Sequence, residues 1–346
     1  MRIGLIARAD STGLGVQSKE FFDHVPNCKA LVIDSSRLPG AIPHGIHFSD
    51  YSKYPNQQQH SMRPGHGMRG AIPYSVIEEF ISDVDIVFAM ETPYDFNIFD
   101  LCQQRGVKTI LQYNYEFLDY PSTLPYPDLF AAPSMWNYDH VPGNKVFLPV
   151  PVNTDKFKPG KEKNFFIHNV GRPAIHDRNG TMTVLNSLRF VENKITVALH
   201  SQQPIPIPVA PPENVNLLPD FGNTPNYYDN YSGGVLILPR KYGGLSLPMN
   251  EALAAEMPII ASNISPNNLW LPKEWLVDTF HCGVLRSKKT LDYFECYHEQ
   301  LAAKIDQFCD PVFYEIAVEK AKQLKETISW KTLLPKYMET FENLLK

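Results

Sequence analysis

The segment Pro239-Arg-Lys-Tyr-Gly-Gly-Leu-Ser-Leu-Pro248-Met-Asn-Glu251-Ala-Leu-Ala254 concentrates residue types suited to binding an anion. It follows the apolar run Val235–Leu238 and turns tightly at Gly243-Gly244. It then enters a helix predicted over Met249–Glu256, with Pro248 at the first helical position. A glycine turn at a helix N-terminus offers backbone N–H groups and the positive end of the helix dipole to a phosphate. Arg240 and Lys241 stand beside it. Glu251 falls in the first turn of that helix, where it either complements the dipole or accepts two hydrogen bonds from a ribose diol. Arg172, after Val170-Gly171, and Arg178, in His176-Asp-Arg-Asn-Gly180, can both address one phosphate-rich ligand, because a guanidinium grips two oxygens at once. Two solvated loop arginines would read the same way. Near the N-terminus the run Arg2–Ala7 passes through Gly13 and Gly15 into a helical stretch. Such glycines let a ligand approach the backbone, and they also suit an ordinary strand–helix turn.

These residues need strands and helices to hold them. In the first half, Ile3–Ala7, Ala30–Ile33, Ile86–Met90, Thr109–Gln112 and Leu129–Ala132 read as buried strands. Helical patterns at Val16–Phe22, Ser75–Ile81 and Phe96–Gln104 lie between them. Residues 36–73, rich in Pro, Gly, His and Gln, break this rhythm and read as a long loop. A second alternating block contains Phe165–Val170, Ile195–Leu199, Val215–Leu218, Val235–Leu238 and Ile259–Ala261. Strand–helix alternation predicts an α/β fold with two doubly wound parallel sheets, each a Rossmann-like domain. The expected boundaries are 1–150, a Pro-bounded linker at 151–162, a second domain at 163–325, and a C-terminal helix at 326–346. That helix follows from the spacing of Trp330, Leu333, Leu334, Tyr337, Met338, Phe341, Leu344 and Leu345. Ligands of open α/β sheets bind outside the carboxyl ends of the strands, so two facing sheets would put a crevice between them.

The net charge of −5 resides in residues 1–150, which hold 11 Lys+Arg against 16 Asp+Glu; the remainder holds 21 of each. This balance argues against non-specific nucleic-acid binding, which phosphate attraction dominates. The five cysteines form no CxxC pair and read as reduced thiols. No leader precedes Arg2–Ala7 and no apolar run is long enough to span a bilayer, so a cytoplasmic protein without a transmembrane segment is expected.

The row Gly243-Gly-Leu-Ser-Leu-Pro248-Met-Asn-Glu251-Ala-Leu-Ala-Ala-Glu-Met-Pro258-Ile-Ile-Ala261 resembles the hallmark of family 4 of the GT-B-fold retaining glycosyltransferases, E-G-F-G-L-P-x-x-E-A-x-A-x-G-x-P-V-I-A. Pro151–Pro159 looks like the family's P-N-G-V-D-x-x-x-F-x-P linker. Gly171-Arg172 with Arg178-Asn179-Gly180 looks like its phosphate loop, and Ala132-Pro133-Ser134 like its a-P-S. The resemblance implies an enzyme that takes a sugar from a nucleotide-diphosphate donor, UDP-sugar favoured, as a cosubstrate without any cofactor. The second domain would hold the donor and the first the acceptor. Arg172 would bind the diphosphate, with Arg178 or Lys241 replacing a family lysine whose position is Asn179. Leu245 and Ser246 would lend N–H groups after Gly244, Glu251 would hold the ribose, and Gly13 and Gly15 would line the cleft from the first domain as donor-binding residues. The family's first glutamate is Gly243 here, so recognition of the sugar must differ.

Such a transfer builds negative charge on the departing phosphate, and binding it more strongly as that charge grows is the catalytic lever. No acidic DxD-type metal site is apparent, and metal independence is expected. A retaining reaction can use the leaving phosphate as base; an inverting one needs a side chain. Glu91, following Ile86–Met90, is the candidate, with Asp95 second; solvated loop acids would look alike. His66 and Arg69, in the long loop, are acceptor-side candidates. The acceptor is a glycan, a lipid-linked sugar or a small hydroxylated molecule. The variant Gly-Gly-Leu-Ser-Leu-Pro with Ser265–Pro272 also resembles bacteriophage-type members, which leaves a 5-hydroxymethylpyrimidine in DNA as an alternative. A nucleotide-sugar-binding protein without catalysis, or an epimerase of related fold, is the reading from other classes.

Overall fold

The computed structural model describes residues 1–34, 49–61, 69–118, 124–160, 162–171, 176–207, 210–222, 227–231, 233–286 and 289–346. The chain divides into two compact units, Met1–Val150 with Lys331–Lys346, and Pro151–Trp330.

The first unit contains β1 (Ile3–Arg8), α1 (Gly13–His24), β2 (Cys28–Asp34), β3 (Gln58–Ser61), α2 (Tyr74–Ile81), β4 (Ile86–Met90), α3 (Asn97–Arg105), β5 (Lys108–Gln112), β6 (Leu129–Ala132) and β7 (Lys145–Phe147). Its strands form one parallel sheet in the order β3-β2-β1-β4-β5-β6-β7. The central strands are apolar throughout because helices cover both faces; every residue of β4 is buried. The order reverses direction between β1 and β4, which sets the crevice at their carboxyl ends.

The second unit contains β8 (Phe165–Gly171), α4 (Thr181–Ser187), β9 (Ile195–Ser201), β10 (Val215–Phe221), β11 (Val235–Leu238), α5 (Leu247–Ala254), β12 (Ile259–Ser262), α6 (Asn267–Trp270), β13 (Leu276–Val277), β14 (Thr279–Arg286), β15 (Thr290–Cys296), α7 (His298–Cys309) and α8 (Pro311–Ile328). Its parallel sheet runs β10-β9-β8-β11-β12-β13, with the equivalent reversal between β8 and β11. The strands β14 and β15 form a separate antiparallel hairpin. Asp310 starts α8 by accepting from the Phe313 N–H at 2.8 Å, and Pro311 occupies the first turn.

Two expectations need correction, and one element was not foreseen. Residues 36–73 are not one loop, since β3 pairs with β2 at Leu31↔Gln58 through Asp34↔Ser61. Its sequence, Gln-Gln-His-Ser, is that of a polar edge strand, which carries no apolar period. The hairpin β14–β15 also escaped the pattern. The C-terminal segment 326–346 is two helices, because α8 ends at Ile328, Ser329 is extended, and α9 (Trp330–Leu345) begins anew. From Lys331 that helix belongs to the first unit, where Tyr337 and Phe341 pack on Phe21 and Phe88. Among the described residues no helix is long and apolar enough to cross a membrane. All five cysteines are unpaired thiols.

Candidate functional site

In the second unit, the carboxyl ends of β8 and β11 are fastened together before any ligand is considered. His168, on β8 and fully buried, donates from Nδ1 to the Ile237 carbonyl of β11 at 2.8 Å. The carbonyl can only accept, so Nε2 is the acceptor for the Thr181 hydroxyl of α4 at 2.9 Å. Burial pushes the imidazole pKa down, and the ring stays neutral. The loop after β8 returns against β11. Gly180 (φ +72°) lies so close to the Pro239 carbonyl that a Cβ would overlap it. Asp177 takes the N–H groups of Thr181 and Met182 at 2.7 and 3.0 Å and so caps α4. Asn179 donates to the Asn169 and Val170 carbonyls at 3.1 and 3.0 Å. Its amide is therefore spent on the strand end.

This packing carries Arg178 to the segment after β11. The Lys241 N–H donates to the Arg178 carbonyl at 2.8 Å, and the Arg178 guanidinium lies over the Tyr242 ring at 5.4 Å. Gly243 has φ +114°, a region open to glycine alone. A Cβ there would lie 2.6 Å from Arg240 Nη2 and nearer still to Arg178 Nη2, so two guanidinium groups converge on this residue. Arg240 is buried and fixed by donating to the Leu245 carbonyl at 2.8 Å. Lys241 differs: its ammonium sits 3.4 Å from both Asp177 and Glu295, which balance its charge. Gly244 to Ser246 lead into α5, whose first turn contains Pro248.

Glu251 is placed in the second turn of α5, which begins at Leu247, and not in the first turn as expected. The helix dipole is weak there, so its position asks for another reason. The side chain is buried and its carboxylate accepts from the Tyr231 hydroxyl at 2.5 Å. Burial raises its pKa to about 7, while the Tyr231 hydrogen bond acts in the opposite sense. Tyr231 and Asn169, which complete this cluster, were missed from sequence; Tyr231 lies 20 residues from Glu251 in a run of tyrosines with no periodic signal.

In the first unit, Glu91 sits at the carboxyl end of β4 with φ +61°, and Tyr94 has the same φ. A left-handed backbone at a non-glycine residue costs energy that the surroundings must supply. The Glu91 N–H donates to the Gln112 carbonyl at 2.7 Å, and the Asn114 amide donates to its carboxylate. Arg8, at the end of β1, holds Asp10 through Nε at 2.8 Å and Nη2 at 2.5 Å. Tyr94 and Glu91 also act on its charge. Arg8 and Glu91 therefore share the edge where this sheet reverses. Gly13 is exposed at the start of α1, whereas the space a Gly15 side chain would need is filled by Asp10. The absence of a side chain at Gly15 serves that packing.

Asp95 is fully buried, and its two oxygens accept from the Ile72 and Asn97 N–H groups at 2.9 Å each. It is a loop-fixing carboxylate, removed from an acceptor by burial. Arg69 donates to Asn97 at 3.0 Å and pairs with Asp100, so it is anchored to α3. Arg172 and His66 lie outside the described residues. Among the described residues no group of three His, Cys, Asp or Glu side chains is arranged to hold a metal.

Two parallel sheets of this order, each with helices on its faces and a closing C-terminal helix, define the GT-B glycosyltransferase fold. Solved structures agree. A glycosyltransferase from Rickettsia africae ESF-5 is similar over 100% of this chain and 98% of its own, with TM-score 0.66 and 14% identity. Sucrose-phosphate synthase from Thermosynechococcus elongatus matches over 99% of each chain with TM-score 0.66 and 13% identity. Anabaena Alr3699/HepE in complex with UDP-glucose matches over 99% of this chain and 100% of its own with TM-score 0.63 and 9% identity. No protein-family model and no curated protein sequence matches the chain.

Proposed function

We propose that the chain is a glycosyltransferase that moves a sugar from a UDP-sugar to an acceptor hydroxyl. The observation that carries this reading is the convergence of the Arg178 and Arg240 guanidinium groups on Gly243 at the entrance to α5, the helix that also carries the buried Glu251. A carboxylate suits a ribose diol, and guanidinium groups suit a diphosphate. Arg172 joins them in this reading, and Gly244, Leu245 and Ser246 present backbone N–H groups. Alr3699/HepE has been solved with UDP-glucose, which supports UDP as the nucleotide.

Arg178 takes the place of the missing family lysine. Asn179 is turned to the strand end and Lys241 is neutralised by two carboxylates. The departing diphosphate is stabilised by these arginines, and the reaction is metal-independent and retaining, with the leaving phosphate accepting the acceptor's proton. Glu91 is the base if the outcome is inversion. The acidic balance of residues 1–150 favours a glycan, lipid-linked sugar or small molecule over hydroxymethylated DNA as acceptor. Activity that falls steeply with added salt would reverse that preference.

Thermal shift with a panel of nucleotide-sugars tests the donor, and product anomeric configuration tests the stereochemistry. A UDP-sugar raises the melting temperature and is consumed on adding acceptor. Arg172→Ala and Glu251→Ala each weaken donor use in a folded protein. Wild-type donor kinetics in either variant would refute the site, binding without turnover would make the chain a nucleotide-sugar-binding protein, and interconversion without acceptor would make it an epimerase.

A further inference from the structure

Glu251 accepts from both hydroxyls of a ribose diol only if its carboxylate is ionised and aimed, and burial opposes the first of these. The residues that answer this lie in three separate parts of the second unit. Asn169, on β8, donates its amide to the Tyr231 phenol oxygen at 2.7 Å. Because an amide nitrogen donates only, the phenol's single proton is directed to the Glu251 carboxylate at 2.5 Å. Phe157, in the linker segment, stands edge-on to the Tyr231 ring at 5.8 Å and to Tyr228 at 4.9 Å. Phe157 and Tyr231 are both buried, so the ring is clamped between elements distant in sequence.

We propose that Tyr231 is a positioning residue for donor binding, oriented by Asn169 and Phe157, which fixes the Glu251 carboxylate and favours its charged form. The inference rests on the donor-site reading above. Among the described residues, the charged groups on the elements packed against α5 are engaged elsewhere or exposed. The strands β11 and β12 beneath α5 carry no ionisable residue. In the neighbouring turns Asp155, Lys156 and Asp229 are exposed, and Lys325 of α8 is paired with Glu256 at 3.0 Å. Arg240 is held by the Leu245 carbonyl. Tyr231 leaves one Glu251 oxygen uncommitted by this pair, which is the oxygen a ribose hydroxyl would meet.

The test is calorimetric binding of UDP, with ADP and GDP in parallel, to the full chain from pH 5.5 to 8.5. Wild type, Tyr231→Phe, Glu251→Gln and the double variant are compared. Glu251→Gln supplies the pH dependence of the nucleotide's own phosphate, and the difference from wild type gives the midpoint of Glu251. Tyr231→Phe is expected to weaken UDP binding about tenfold at pH 7.5 and to move that midpoint upward. It adds nothing in the Glu251→Gln background, since the two act as one unit. If Tyr231→Phe lowers only the melting temperature and leaves affinity and midpoint at wild-type values, the positioning role is wrong while the donor site stands. If none of the three nucleotides binds wild type, the donor reading fails and takes this inference with it.

Discussion

Replacing Glu251 by Gln isolates the energetic consequence of burying a carboxylate. The folded-state pKa of about 7 lies above the ordinary value of 4.5. A carboxyl group raised in this way binds its proton more tightly in the folded protein. Its contribution to stability is therefore neutral below 4.5 and becomes a penalty as pH rises, levelling off above 7. At 1.36 kcal/mol per pH unit the full penalty is about 3 kcal/mol. Gln carries no such charge, so Glu251→Gln should gain on wild type by about 3 kcal/mol between pH 4.5 and pH 8, in the absence of nucleotide. Urea denaturation followed by tryptophan fluorescence reads this directly, because Trp270, Trp275 and Trp330 all lie in the second unit. A difference between the two proteins that stays flat across this range would refute the buried, proton-linked Glu251.

Other expectations follow from the same geometry. His168→Leu leaves the Ile237 carbonyl and the Thr181 hydroxyl without a partner and should cost about 1–3 kcal/mol at pH 8 by chemical denaturation. Because the folded imidazole pKa is depressed, the stability it confers is present above 6.5 and is lost as pH falls, so the gap between the proteins should narrow in acid. Gly243→Ala forces a side chain into φ +114° and against two guanidinium groups; a loss of about 1–3 kcal/mol and weaker UDP binding are expected, by thermal melting and calorimetry. Glu91→Gln should leave UDP affinity unchanged. If Glu91 is the base, initial rates of transfer fall about 100-fold or more; if the reaction is retaining, they stay near wild type.

The sheets were legible because their central strands are buried on both faces and advertise themselves as apolar runs such as Ile-Val-Phe-Ala-Met and Val-Leu-Ile-Leu. The edge strands β3 and β7 and the hairpin strands were not, since solvent exposure removes that signal: β3 is Gln-Gln-His-Ser, whereas the edge strand β10 was readable through its apolar residues Val215, Leu217 and Leu218. Of the candidate site, the elements that local composition controls were readable: the glycine turn, the Pro248 helix start and the neighbouring arginines. What no spacing reveals is long-range. The Asn169–Tyr231–Glu251 chain, the neutralisation of Lys241 by Asp177 and Glu295, and the diversion of Asn179 to the strand end all depend on which loops the sheet brings together. Asp95 read as a candidate acid because sequence records a charge and not its burial.

The contact of Gly180 with the Pro239 carbonyl bears on how this protein could be re-engineered. Any larger residue at 180 would wedge the loop away from β11 and withdraw Arg178 from Gly243. A mutational library aimed at new donors should therefore hold 180 and 243 constant as glycine and vary 178 and 240 together, because the backbone that presents those two side chains is set by residues that present none.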